Sequence, residues 1–319
     1  MRLTLCLLLA LAAVPLAAGD DDGPERLMQA GRADDALRAL NLHVQDNPRD
    51  AAAFNLLSRT YYQLELWDTA ILMAEKAIAL EPRNSVYHQW LGRAAGRKAE
   101  VSNPFTAFNM ARKVRAEFER AVAFDPDNIS ARSDLSEYYL EAPGFLGGDK
   151  NKARLQAEAI APHDPALARY IMARVEEKMH TGRAEEEYKR AIAGSANDAA
   201  RYWIELASYY RRSGRLQDME NAIGQSLSAT RRDAVPEFDG ASMLRDAGRN
   251  FPGAIQMLRS YLAGDSTSED APAFQVRYVL GQLLEKQGDR RSAAEQYRAA
   301  LELASQFRPA RDALARVSR

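Results

Sequence analysis

The chain has 319 residues, 46% of them hydrophobic and 27% charged, and its 43 basic and 44 acidic side chains leave a formal charge of −1. That balance excludes the basic excess by which a nucleic-acid-binding protein is recognised. A single cysteine, Cys6, excludes a disulfide framework.

At the N-terminus Met1 and Arg2 lead into the apolar run "LTLCLLLALAAV", then Pro15, then "LAAG" directly before three aspartates. The run is too short to span a bilayer, and the small residues Ala17 and Gly19 suit cleavage, so residues 1–19 are expected to be a secretory signal peptide cut after Gly19. Residues 20–319 are then the mature protein, periplasmic or secreted. Cys6 lies near the front of the run, away from the place of a lipidated cysteine, so no lipid anchor is expected. The mature chain loses one arginine and no acid, which takes its formal charge from −1 to −2. It keeps no cysteine, and no membrane span is expected in it.

A pattern of large and small residues then recurs along the chain. Residues 31–50, "GRADDALRALNLHVQDNPRD", carry Ala36, Leu40 and Pro48. Residues 51–84 give the fullest copy, with Phe54, Leu57, Ser58, Tyr61, Ala70, Ala74, Ala77 and Pro82. Phe54, Leu57 and Tyr61 make one apolar stripe at helical spacing; Ser58, Ala70 and Ala77 let helix axes approach; Pro82 stops the second helix. One hairpin cannot bury such a stripe alone, so copies must stack. From Ser85 the copy begins with Leu91 and Gly92 but closes late, at Pro126, with the extra residues near 96–107. From Ile129 it gives Leu135, Ser136 and Tyr139, then an insertion at 141–148 before Pro165. Weaker copies follow around 181–192, 200–233 and 235–265. Residues 274–307 restore the pattern with Leu280, Gly281, Leu284, Gly288, Ala293, Tyr297 and Ala300. The final "FRPARDALARVSR" reads as an amphipathic helix, 308–319, expected to cap the last apolar face of an open stack.

Residues 51–84 closely resemble a tetratricopeptide repeat, a helix hairpin of about 34 residues. The resemblance implies an all-α fold, a right-handed superhelical solenoid of antiparallel helix hairpins, with about eight units in one domain from residue 20 to 319.

The 141–148 insertion, within "LEAPGFLGGDKNKA", holds three glycines but no phosphate-loop order, because Asp149 and Asn151 flank Lys150 where glycine and Ser or Thr would stand. It reads as a long hairpin turn, with Pro143 ending a helix and Asp149 capping the next. Phe145 and Leu146 either fold back on a neighbouring hairpin, the expected arrangement, or meet a ligand together with Lys150. A similar Pro-Gly, Gly-Gly, Lys-Ala arrangement is familiar from exported bacterial tetratricopeptide-repeat proteins, including ones that resemble transporter partners.

Four histidines, His43, His88, His163 and His180, show no metal-ligand spacing, and no nucleophile motif is present, so neither a metal, a cofactor nor an enzyme activity is expected. By register Tyr61, Tyr139, Trp203 and Tyr210 belong to the core. The concave groove should present Asn55, Arg59, Tyr62, Gln89, Arg93, Glu137, Arg201 and Arg212 to a protein or peptide, and Arg59 with Arg93 could meet a carboxylate. The expected function is a non-enzymatic interaction scaffold of the bacterial cell envelope. The alternative is a transporter-accessory or small-ligand-binding protein with a pocket near the 141–148 loop.

Overall fold

The computed structural model describes residues 23–264 and 268–319. The signal-peptide reading of residues 1–19 lies outside them. The described residues are helical throughout, apart from turns, and form eight hairpins and a final helix. In order these are α1 (Pro24–Gln29) with α2 (Ala33–Asp46), α3 (Ala51–Gln63) with α4 (Trp67–Leu80), α5 (Ser85–Glu100) with α6 (Pro104–Phe124), and α7 (Ile129–Glu141) with α8 (Lys150–Ile160). Then come α9 (Pro165–Lys178) with α10 (Ala184–Gly194), α11 (Ala199–Arg212) with α12 (Leu216–Ser228), α13 (Val235–Ala247) with α14 (Phe251–Ala263), α15 (Ala273–Lys286) with α16 (Arg290–Leu303), and α17 (Arg308–Val317).

Local chemistry explains where these helices start and how the hairpins close. Asp50, Asn103, Asn128, Asp164 and Asp289 each accept a hydrogen bond from a first-turn backbone N–H, satisfying one of the donors a helix start leaves open. Ser58 donates its hydroxyl to the Ala70 carbonyl at 2.8 Å, and Ala70, Ala74 and Ala77 are fully buried, so α3 and α4 lie close. Gly92 makes room for the Phe118 ring and Gly281 for the Tyr297 ring, the same large-into-small fit in two different hairpins. The extra residues near 96–107 do not form a loop; they lengthen α5 and give α6 its 21 residues.

Consecutive first helices touch one another, as α3 does α5, α5 does α7, α7 does α9 and α11 does α13, so they make the inner layer of a right-handed superhelix and the second helices the outer. The stack is not open. Leu37, Leu40, Leu57 and Leu64 of the first units share one buried cluster with Phe274, Ala300, Ala304, Phe307 and Ala310 of the last. The Ser305 amide donates to Asp34 at 2.9 Å, Gln275 donates to the Gln63 carbonyl at 2.7 Å, and Gln63 donates in turn to the Glu269 carbonyl at 3.0 Å. The amphipathic helix α17 covers the last hairpin with Ala313, Leu314 and Val317, while α16 and the start of α17 face α2. The small rotation added by each hairpin has accumulated to about one turn, and the two ends meet as a ring.

Candidate functional site: the lumen of the ring

A belt of polar contacts between successive inner helices surrounds the lumen. Arg93 of α5 pairs with Asp134 of α7 at 2.6 Å. Glu137 of α7 pairs with Arg174 of α9 at 2.9 Å, and Glu177 of α9 with Arg212 of α11 at 2.7 Å. Arg211 reaches Asp246 of α13 at 3.8 Å, and Arg245 of α13 donates to Gln282 of α15 at 2.7 Å. The circuit closes across the seam, where Arg59 of α3 pairs with Glu269 at 2.8 Å. Between α3 and α5 the link is aromatic: Tyr62 meets Trp67 and Trp90 edge-on at 5.2 and 5.5 Å, and the guanidiniums of Arg59 and Arg93 lie over the Trp90 ring. Cation–π contact adds to the ion pairs there.

The structure distributes the sequence-predicted groove residues unevenly. Arg93, Glu137, Arg201 and Arg212 lie on the inner helices, and Tyr62 lines a second lumen cavity with Trp67, Trp90, Glu269 and Asp270. Asn55 is instead buried, with 5% of its surface exposed, and its Oδ1 atom has no partner. Gln89 is also buried, donating to Ser130 and Asp134 at 2.7 Å. Arg59 and Arg93, the pair that could meet a ligand carboxylate, are each ion-paired within the protein, to Glu269 and Asp134.

What remains unpaired is mostly acidic. A cavity of about 380 Å³ is lined by residues of α5, α7, α11 and α13 and of the chain entering α15. Among its lining groups Arg93 pairs with Asp134 and Arg232 with Asp198. Among the described residues the carboxylates of Glu205, Asp239 and Asp270 have no ion pair and no hydrogen bond, and Arg201 lies against the Tyr202 ring with no carboxylate in ion-pair reach. The Asp239 side chain is exposed to the water of the cavity and is ringed by the inner helices. Burial, then repulsion from Glu205, Asp270 and Asp233, pushes its carboxyl up to about 7. Burial also raises Glu205, against the pull of Arg201. Such a site gains most from a ligand that brings positive charge.

The 141–148 insertion is a rigid turn. Gly147 has φ of 96°, Tyr138 donates its hydroxyl to the Leu146 carbonyl at 2.8 Å, and Asp149 caps α8. Leu146 is half-buried and Lys150 exposed. Phe145 does not fold back as expected; it is 80% exposed. Neither lumen cavity is lined by this turn. His88, one of the four histidines, is a packing residue, hydrogen-bonded to Glu117 and to the Pro82 carbonyl.

A tetratricopeptide-repeat family model matches residues 274–307, the α15/α16 hairpin. The chain carries a tetratricopeptide repeat. The other helix hairpins have the same layout. A search of curated proteins finds no match. Similar solved structures include the Cut9–Hcn1 hetero-tetramer of the APC/C, 15% identical over 93% of this chain and with a TM-score of 0.42. This chain spans 54% of that one. Another is TTC0263 of Thermus thermophilus, 22% identical, covering 58% of this chain and 94% of its own, with a TM-score of 0.47. A third, a tetratricopeptide-repeat protein from Parabacteroides merdae, is 12% identical over 93% of this chain and 99% of its own, with a TM-score of 0.42. With TM-scores below 0.5, the assignment rests on the repeat match and the hairpins themselves.

Proposed function

We propose that this protein is a non-enzymatic interaction scaffold whose lumen receives a basic segment of a partner protein. The observation that carries the reading is the asymmetry of the lumen's charges. Arg59, Arg93, Arg174 and Arg212 are paired within the belt, whereas three carboxylates, Glu205, Asp239 and Asp270, face the cavity without partners against one unpaired guanidinium, that of Arg201. A lysine or arginine entering there meets carboxylates that no cation of the fold neutralises, and side chains in fixed rows on the inner helices suit an extended chain. The volume accepts one or two long side chains.

The test is fluorescence anisotropy with a labelled oligolysine, with oligoglutamate as the control. Oligolysine should bind and release protons as it does so, and the combined Glu205→Gln, Asp239→Asn and Asp270→Asn changes should weaken it at least about tenfold. Equal binding of oligoglutamate, or a triple variant that binds oligolysine like the parent, would overturn the reading. We also propose that the protein works in the bacterial envelope, because the apolar run 3–14 has the layout of an export signal. Protein recovered from a periplasmic extract should then begin at Asp20; an intact Met1 would count against export.

A further inference from the structure

The bulky apolar side chains most exposed to water gather on one rim of the ring. Phe145 is 80% exposed, Phe105 78% and Val101 69%, and Phe108 is also exposed. Val101 and Phe145 stand in two consecutive inner-to-outer connections, α5 to α6 and α7 to α8, and Phe105 and Phe108 in the first turns of α6. Every connection from an inner helix to its outer partner lies on this rim. The 3-10 turn 144–146 touches α6, and Gly147 lies against the Arg115 guanidinium. Phe108 stands two turns before Arg115 on the same side of α6, about 10 Å along the axis. Val101, Phe105 and Phe108 are thus near one another at the start of α6, and the turn that carries Phe145 packs on the same helix further along.

Charge gives that rim a direction. Around the aromatic tips stand Arg112, Lys150 and Lys152, with Lys98 paired to Asp68, and further along the same rim come Arg183 and Arg249, paired to Glu176 and Glu220; Glu100, Glu141 and Asp149 lie among them. The opposite rim, where outer helices return to inner ones, carries Asp50, Asp125, Asp127, Asp164, Asp198 and Asp233 against fewer cations, Arg49, Arg83, Arg231 and Arg232, the last paired to Asp198. An anionic plane would attract the first rim and repel the second. Isolated aromatic tips separated by polar residues such as Asn103 and Asp149 lack the continuous packed centre of a protein interface. They do suit the headgroup layer of a bilayer, where aromatic rings insert shallowly and flanking cations meet lipid phosphates.

We propose that this rim docks on an anionic lipid surface, with Phe105 and Phe145 inserted and the lysines beside them on the headgroups. The reading is independent of what the lumen holds. The test uses the full chain with Cys6→Ser and a single environment-sensitive dye, either on Val101→Cys at this rim or on Asp127→Cys at the other. Vesicles of phosphatidylcholine with phosphatidylglycerol are compared with phosphatidylcholine alone. The dye at position 101 should shift to the blue with the anionic vesicles only, the shift should fade with added salt, and the dye at 127 should not respond. In the Val101 reporter Phe105→Ala with Phe145→Ala should weaken the response about tenfold or more at an unchanged melting temperature. The proposal is overturned if the 101 dye is silent, if both dyes shift alike, if the double change has no effect, or if the shift occurs without lipid as protein concentration rises. The last result would assign the rim to self-association.

Discussion

Replacing Gly31 with alanine tests the ring seam against a control built into the fold. Gly31, Gly214, Gly248 and Gly288 all stand at hairpin turns with φ between 67° and 86°. Alanine in that region costs about 1–2 kcal/mol, partly offset by about 0.4–1 kcal/mol from a less flexible unfolded chain. At Gly214, Gly248 and Gly288 an added Cβ meets nothing within 4 Å, so the backbone cost is the whole cost. At Gly31 the Cβ would fall inside contact distance of the Ala273 amide nitrogen and 3.0 Å from the Pro272 carbonyl carbon, both on the far side of the seam. Backbone cannot rotate away, so a further 1–3 kcal/mol of overpacking, roughly, is expected. Amide hydrogen exchange read by mass spectrometry should show faster exchange in both α2 and α16 for Gly31→Ala, and not for Gly214→Ala. If Gly31→Ala behaves like Gly214→Ala, the ends do not meet as described.

Three further outcomes follow from the same geometry. Gly92→Ala and Gly281→Ala should each destabilise by about 1–3 kcal/mol in urea titrations despite better helix propensity, because the buried Phe118 and Tyr297 rings occupy the space. Glu65, at φ of 60°, stands in the turn position that glycine fills at residues 31, 214, 248 and 288, so Glu65→Gly should stabilise by about 0.5–1 kcal/mol in the same titration. The folded-state pKa of Asp239, about 7, lies above its ordinary value of 3.8. Its stabilising contribution is therefore fully present at acid pH, below the unfolded value, and is lost as pH rises through about 7. Asp239→Asn should flatten that fall in stability between about pH 4 and 7. Because only the ionised carboxylate pairs with a cation, oligolysine affinity should rise between about pH 6 and 8 in the parent and change less in the variant.

The hairpins were legible because each is fixed by residues near one another in sequence. Ser58 under Ala70, Gly281 under Tyr297 and Pro82 after α4 are all local requirements, and each leaves its mark within one repeat. The seam left no such mark. Arg59 and Glu269 are 210 residues apart, Asp34 and Ser305 are 271, and whether they meet depends on a rotation summed over every hairpin between them. The lumen was half legible. Arg93, Glu137, Arg201 and Arg212 could be placed on inner helices from periodicity, but their partners could not be assigned from one helix alone. A signal was present: the charge or polar partners in the belt stand 35 to 41 residues apart, one repeat plus any insertion. Searching for opposite charges at that offset would have found Asp134, Arg174 and Glu177, and would have shown the arginines to be spoken for. Asp270 could not have been found that way, since it enters the lumen from a connection and not from a helix.

Every statement about the lumen depends on the two ends of the chain meeting, so disulfide trapping across the seam is the most direct measurement. On a Cys6→Ser background, Asp34→Cys with Ser305→Cys puts one thiol on each of the two residues that the seam hydrogen bond, from the Ser305 backbone N–H to the Asp34 carboxylate at 2.9 Å, now holds together. Mild oxidation should give an intramolecular disulfide in nearly all molecules, seen as a compact, faster-running band under non-reducing denaturing electrophoresis that dithiothreitol abolishes. The crosslink should raise the melting temperature as well, since it closes a very long loop. Free thiols after oxidation, or only intermolecular dimers, would mean that the stack is open and that the acidic cavity does not exist as an enclosed site.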